Sequence, residues 1–247
     1  MNNNEELVRA ENLYRSYIKY DNKTEVLKGL NLSIQRNEFT AIMGRSGSGK
    51  TTLLKLLGLL DKPTSGQIIY KGENSKKILG DNLAVIHRNN IGFVYQDYYL
   101  MDSISVLENI MLPKLLNHEP ASDCVESAVK ISDKMDISSI LNKKPYELSG
   151  GEKQRVAICR ALINDPEIIL ADEPTGNLDM VSADMVMSHF EMIHTSLKKT
   201  IVLVTHDPSV AIFCKRVVIL KDGLIAAELI NDGDKESFFY KIIESQK

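Results

Sequence analysis

The sequence predicts an α/β fold, a parallel sheet covered on both faces by helices. Three observations carry this. Short apolar runs of strand character recur at Phe39-Thr40-Ala41-Ile42-Met43, Ile168-Ile169-Leu170-Ala171, Ile201-Val202-Leu203-Val204 and Val217-Val218-Ile219-Leu220. Helical periodicity fills intervening spans, most clearly Ala183, Val186, Met187, Phe190, Ile193 and Leu197. A glycine-rich loop follows the first run and leads straight into a helix. Strands that alternate with helices form a parallel sheet buried on both sides.

The remaining elements follow in order. Leu7-Val8-Arg9-Ala10 and Leu30-Asn31-Leu32-Ser33-Ile34 read as strands. Beyond the loop, Leu53, Leu54, Leu56, Leu57 and Leu60 recur at helical spacing until Asp61-Lys62-Pro63-Thr64-Ser65-Gly66 breaks the run. Residues 67–70 and 91–95 read as two more strands, with an unassigned polar stretch between them. Residues 97–165 are expected to form a helical sub-domain. Its apolar positions include Val125, Val129, Ile131 and Met135, and its helices are expected to be separated by Pro113, Pro120 and Pro145. Lys221-Asp222-Gly223 between two apolar runs predicts a hairpin, and residues 234–245 predict a terminal helix.

At 247 residues the chain is expected to be one domain with a sub-domain. Thirty basic against 33 acidic residues leave a net charge of −3, which argues against a nucleic-acid partner. An apolar share of 43% with 26% charged residues fits a soluble globular chain. No apolar run is longer than residues 210–214, far short of the roughly 18 needed to span a bilayer. The polar, acidic opening Met1-Asn2-Asn3-Asn4-Glu5-Glu6 is unlike a signal peptide. A cytoplasmic chain is expected. Cys124, Cys159 and Cys214 show no C-x-x-C pattern and are read as reduced, mostly buried thiols.

The strongest motif is Gly44-Arg45-Ser46-Gly47-Ser48-Gly49-Lys50-Thr51, which matches G-x-x-x-x-G-K-[ST] between a strand and a helix. Its glycines let backbone N–H groups curl around phosphate oxygens. Lys50 is placed for the β/γ phosphates and the Thr51 hydroxyl for Mg²⁺. A second segment, Ile168-Ile169-Leu170-Ala171-Asp172-Glu173, is an apolar strand that ends in two carboxylates. Alone such a pair is usually a turn or cap. Beside a phosphate loop, Asp172 suits Mg²⁺ and Glu173 suits polarising a water. In a third segment, Leu148-Ser149-Gly150-Gly151-Glu152-Lys153-Gln154-Arg155, Ser149 and Glu152 form a capping box that begins a helix. Gly150 and Gly151 leave the N–H groups at its positive end open as a second anion site.

Taken together these segments resemble the ATP-binding subunits of ABC transporters. Leu148-Ser149-Gly150-Gly151-Glu152 is similar to the family's signature loop, and residues 44–51 and 168–173 to its Walker A and Walker B segments. The likeness covers almost the whole chain. It implies a P-loop NTPase core with an antiparallel β sub-domain and an inserted helical sub-domain. The core would comprise residues 1–96 and 166–231, the helical part with its signature loop 97–165, and the C-terminal helix 232–247. It further implies that Gln96 is the Q-loop glutamine, that Gly176-Asn177-Leu178-Asp179 is the D-loop, that His206 is the switch histidine, and that Tyr17 stacks on adenine, with Tyr14 a weaker candidate. By the same likeness, Glu173, His206 and Gln96 would be catalytic. Gly44, Arg45, Ser46, Gly47, Ser48, Gly49, Lys50, Thr51, Thr52, Ser149, Gly150, Gly151 and Glu152 would bind nucleotide, and Thr51, Gln96 and Asp172 would serve the metal. Glu152 stands where the family most often has Gln. His87, His118, His189 and His194 are read as structural or solvated.

The resemblance also implies ATP and Mg²⁺ as cofactors and a head-to-tail homodimer, in which the signature loop of one copy covers nucleotide held by the other. The membrane partner would be a separate transmembrane permease, docked near Asp97-Tyr98-Tyr99-Leu100-Met101-Asp102. The chain would then be peripheral on the inner face of the cell membrane, associated through the permease only. The nearest group comprises the lipoprotein-release, macrolide-export and bacitracin-type antimicrobial-peptide transporters. Residues 97–113, Gly233-Asp234-Lys235 and Phe238-Phe239 lean toward antimicrobial-peptide export or resistance. The alternative is a cell-division ATPase of the same fold that transports nothing. Coiled-coil DNA-repair ATPases need a long insertion, and translation-factor relatives need two motif sets where this chain has one.

Overall fold

The computed structural model describes residues 5–19 and 22–246; residues 1–4 of the polar opening, and Lys247, lie outside them. Two long strands, β1 (Glu6–Lys19) and β2 (Asn22–Gln35), precede β3 (Phe39–Met43) and α1 (Lys50–Leu57). Then come β4 (Ser65–Tyr70), β5 (Glu73–Asn74), α2 (Gly80–Asn89) and β6 (Ile91–Tyr95). The helices α3 (Val106–Leu115), α4 (Ala121–Lys134) and α5 (Gly150–Leu162) separate β6 from β7 (Ile168–Asp172). The chain continues through α6 (Met180–Leu197), β8 (Thr200–Thr205), α7 (Pro208–Ala211), β9 (Arg216–Lys221), β10 (Leu224–Ile230) and α8 (Lys235–Ser245).

These strands form two sheets. One is antiparallel with order β2-β1-β4-β5, and the other has order β10-β9-β3-β8-β7-β6. In the second, β3 and β6 to β9 are parallel and only β10 is antiparallel. The expected α/β architecture with an antiparallel sheet is therefore present. Pleating divides the buried strands between two cores. Ala41, Ile169 and Leu203 face a core shared with Val156, Phe190, Ile193 and Phe238. Ile42, Leu170 and Val202 face the other, with Leu53 and Leu56 of α1 and Leu13 and Leu27 of the antiparallel sheet.

Several boundaries differ from the sequence-based expectation. Helix α1 stops at Leu57 because Gly58 caps it, and Leu60 lies beyond the helix. A side chain at Gly58 would strike Phe93 and Leu170. The unassigned polar stretch contains β5 and α2, and α2 buries no residue completely, so it left no clear apolar stripe. Pro113 does not separate helices but sits inside α3. It forfeits one helical N–H bond near the helix end, and the burial of Val106, Ile110 and Met111 outweighs that loss. In α4 the inward face is Cys124, Ala128 and Ser132, while Val125 and Val129 are each 37% exposed. Small side chains on that face let α4 pack closely on α3 and α5. The hairpin is as expected: Asp222 and Gly223 have φ of 52° and 81°, the two-residue turn whose twist suits flanking strands. All three cysteines are free and buried.

Candidate functional site

Where β3 leaves the sheet, the chain turns at once into the glycine loop. Gly44 admits no side chain, since a Cβ would lie 2.2 Å from the Leu220 carbonyl oxygen. Gly49 caps α1 with φ of 102°, a backbone region that side-chain-bearing residues rarely adopt. The cap offers no side-chain acceptor, so amides of the first helical turn stay open to an anion.

A cavity of about 810 Å³ opens over this loop. Gly44, Arg45, Ser46, Gly47, Gly49, Lys50, Thr51 and Thr52 line it, together with Gln96, Glu173, Gly176 and His206. Parallel strands deliver their carboxyl ends to one edge of the sheet, which is why the ends of β3, β6, β7 and β8 supply neighbouring groups. Ser48 instead faces an adjoining cavity of about 270 Å³ beside Leu220, Lys221 and Asp222.

Lys50 is buried, with 7% of its surface exposed. Its ammonium donates to the carbonyls of Gly44 at 2.9 Å and Arg45 at 3.2 Å and lies 4.0 Å from Glu173 Oε1. The Thr51 hydroxyl donates to Asp172 Oδ1 at 2.9 Å. Burial pushes the Asp172 carboxyl up, opposed by the Thr51 hydrogen bond and then by Lys55 and Lys50. Two hard oxygens beside a phosphate cradle fit Mg²⁺, which commonly takes one or two protein ligands and completes its shell with water and phosphate. Among the described residues no cluster of three or more His, Cys, Asp or Glu could hold a metal unaided.

Glu173 adopts φ of 48° directly after β7, its N–H bonded to the Val204 carbonyl at 3.0 Å. His206 Nδ1 stands 2.8 Å from Glu173 Oε2. Gln96 donates through Nε2 to Asn177 Oδ1 at 3.0 Å, and Asn177 Nδ2 donates back to the Gln96 carbonyl at 3.1 Å.

Other expected residues lie elsewhere. Ser149 caps α5, its hydroxyl accepting from Glu152 N at 3.3 Å while Ser149 N donates to Glu152 Oε2 at 2.7 Å. Those backbone and hydroxyl bonds hold Glu152 below the usual carboxylate range, against the opposing effect of burial. A side chain at Gly150 would crowd Leu178 and Tyr98, and one at Gly151 would crowd Ser182. The two glycines thus serve close packing as well as open amides. None of these four residues lines the cavity. Nor does Tyr17, whose ring carries the Arg15 guanidinium at 4.4 Å and whose hydroxyl donates to Asp61 Oδ2 at 2.9 Å. Val26 and Gln246 do line it. Sequence reasoning missed both, because neither belongs to a motif and only the docking of β2 and α8 on the core brings them there.

The family model described as ABC transporter matches residues 27–176. The bacitracin export ATP-binding protein BceA of Halalkalibacterium halodurans is 40% identical over 97% of this chain and 95% of its own length. The lipoprotein-releasing system ATP-binding protein LolD of Aquifex aeolicus is 41% identical over 91% of this chain and 98% of its own. The dimeric structure of MJ0796, a bacterial ABC transporter cassette, superposes with a TM-score of 0.85 at 38% identity, covering 92% of this chain and all of that one. A post-hydrolysis state of the same cassette with ADP and Pi matches equally well. A phosphate loop, a carboxylate pair and a histidine gathered at one sheet edge, together with these likenesses, place the chain in the ABC transporter family as an ATP-binding, ATP-hydrolysing subunit.

Proposed function

We propose that two copies of this chain pair head to tail around two nucleotides and drive a separate transmembrane permease. The observation that carries this reading is a division of labour. The phosphate loop, Glu173 and His206 share one cavity, whereas Ser149, Gly150, Gly151 and Glu152 sit outside it on α5. A second copy related by a two-fold axis would bring its own serine-glycine loop to the open side and receive the same in return. The dimeric cassette relative supports the pairing. The division into a core of residues 1–96 and 166–231, a helical part of 97–165 and a C-terminal helix from 232 belongs to the same reading.

Within such a site Lys50 exchanges its two loop carbonyls for phosphate oxygens. Thr51 and Asp172, with Gln96 nearby, would hold Mg²⁺, which supplies charge neutralisation at those oxygens when bound. Glu173 takes a proton from the attacking water, His206 orients Glu173 and contacts the γ-phosphate, and Gln96 reports on the metal or the water. Tyr17 would stack on adenine once its ring gives up Arg15. The export and release ATPases among the relatives favour antimicrobial-peptide export or resistance, or a related lipid or lipoprotein task, over the cell-division alternative. Attachment to the inner face of the membrane would then run through the permease.

Light scattering on Glu173→Gln tests the pairing. With saturating Mg-ATP the variant should run as a dimer and return to monomer when ATP is removed. A variant that stays monomeric would overturn the reading. Co-purification from solubilised membranes of the source cell tests the permease.

A further inference from the structure

Arg160 lies in the last turn of α5, the helix that Ser149 opens. Its guanidinium donates to two successive backbone carbonyls, Nη2 to Tyr98 at 2.7 Å and Nη1 to Tyr99 at 2.5 Å. Burial draws its pKa below the usual value, and Tyr95 is the group that opposes this; no carboxylate does so among the described residues. The guanidinium is partly buried, it pairs with no carboxylate among the described residues, and its hydrogen bonds there all go to this one turn. The turn itself is unusual. Tyr98 and Tyr99 both hold left-handed backbone, with φ of 60° and 48°, which bulky residues rarely adopt.

The turn leads directly from Gln96. Tyr99 N donates to the Asp97 carbonyl at 2.6 Å, and the Tyr99 ring packs edge-on against Tyr95 with centroids 5.1 Å apart. A Cβ on Gly150 would come 3.2 Å from the Tyr98 hydroxyl. The segment after Gln96 is therefore pinned to both ends of α5, by Tyr98 against Gly150 and by the guanidinium of Arg160. A planar fork of two donors matches two adjacent carbonyls in a way a lysine ammonium does not.

We propose that Arg160 is a positioning residue: it holds the Tyr98–Tyr99 turn in its left-handed form and so sets Gln96 at the cavity relative to the Ser149 loop. The proposal deepens the nucleotide reading above and rests on it for the role of Gln96. The catalytic groups themselves do not touch Arg160.

The test uses the full chain with Arg160→Met and Arg160→Lys, each alone and combined with Tyr99→Trp as a reporter, since the chain has no tryptophan. Mg-ATP affinity should stay within about twofold, because the phosphate loop is untouched, while kcat falls by about tenfold to a hundredfold, the scale expected for a group displaced by about 1 Å. Arg160→Lys should fall between wild type and Arg160→Met, and it carries the test if the methionine variant does not fold. Tryptophan anisotropy should drop when Arg160 is replaced. A folded variant with wild-type kcat, or a loss of kcat with unchanged anisotropy, would overturn the proposal. A wild-type chain that does not bind Mg-ATP would instead overturn the nucleotide reading, and the anisotropy comparison would still decide whether Arg160 holds the turn.

Discussion

Glu173 and His206 meet at the cavity with Oε2 and Nδ1 2.8 Å apart. A carboxylate oxygen at that distance pairs with the imidazole tautomer that carries a proton on Nδ1. The contact depends on a left-handed residue: Glu173 has φ of 48°, stabilised by the bond from its N–H to Val204 and by its carbonyl accepting from Gly176 N at 3.0 Å. Non-glycine residues in that region cost on the order of 1–3 kcal/mol and collect at functional sites. Here the turn aims the carboxylate back toward Lys50.

Glu173→Gln and His206→Ala should therefore separate. The glutamine variant loses the proposed base, so kcat in a coupled phosphate-release assay should fall by roughly 10² to 10⁴. His206→Ala leaves the base but frees its orientation, so the loss should be smaller. Equal losses would point to a dyad acting as one unit.

Lys50 offers a test in which stability and binding move in opposite directions. Among the described residues its buried ammonium is satisfied only by loop carbonyls and the distant Glu173. Lys50→Met removes a desolvated charge, so Tm without nucleotide should hold steady or rise. The upward shift that ATP gives the wild type should vanish, since that shift measures binding.

The Ser149 cap can be separated from its proposed role across the dimer. Ser149→Ala should cost about 1 kcal/mol in denaturant unfolding through the lost cap. Ser149→Asp keeps an N-cap acceptor, so stability should match wild type. A carboxylate facing the partner's γ-phosphate should nevertheless abolish ATP-driven pairing, as read by light scattering.

Asp172 gives a pH dependence. Burial raises its folded pKa above the unfolded value, so the native state holds the proton to higher pH. The contribution of that group to stability is thus present at low pH and is lost as pH rises through the folded pKa. Asp172→Asn escapes the loss and should melt at or above the wild-type Tm at pH 7. Its Mg²⁺-supported hydrolysis should collapse. In the wild type, the Mg²⁺ requirement should climb as pH falls, starting at a higher pH than for an aspartate with an ordinary pKa.

Much of this site was legible because the motif residues lie on the chain's strongest local signals. Gly44 to Thr51 follow a fully buried strand, and Asp172 and Glu173 close another. The glycines of α5 announced themselves through the capping box of Ser149 and Glu152. Where burial was partial the reading slipped. Helix α2 keeps no residue fully inside, α4 turns its small side chains inward, and Pro113 sits inside α3 because local propensity yields to packing.

What the sequence determined by itself was the order of the motifs along the chain: periodicity and glycine marked the phosphate loop and the strand that ends in two carboxylates, and the resemblance to a known family added the expected role of His206. Only the tertiary structure decided which of these meet. Lys50 resting on its own loop, Gln96 paired with Asn177, Tyr17 turned to Asp61 and Arg160 clasping the Tyr98–Tyr99 turn are contacts between residues far apart in sequence or folded back on themselves. Such contacts follow from how sheets and helices stack, and no local pattern of residues encodes that stacking.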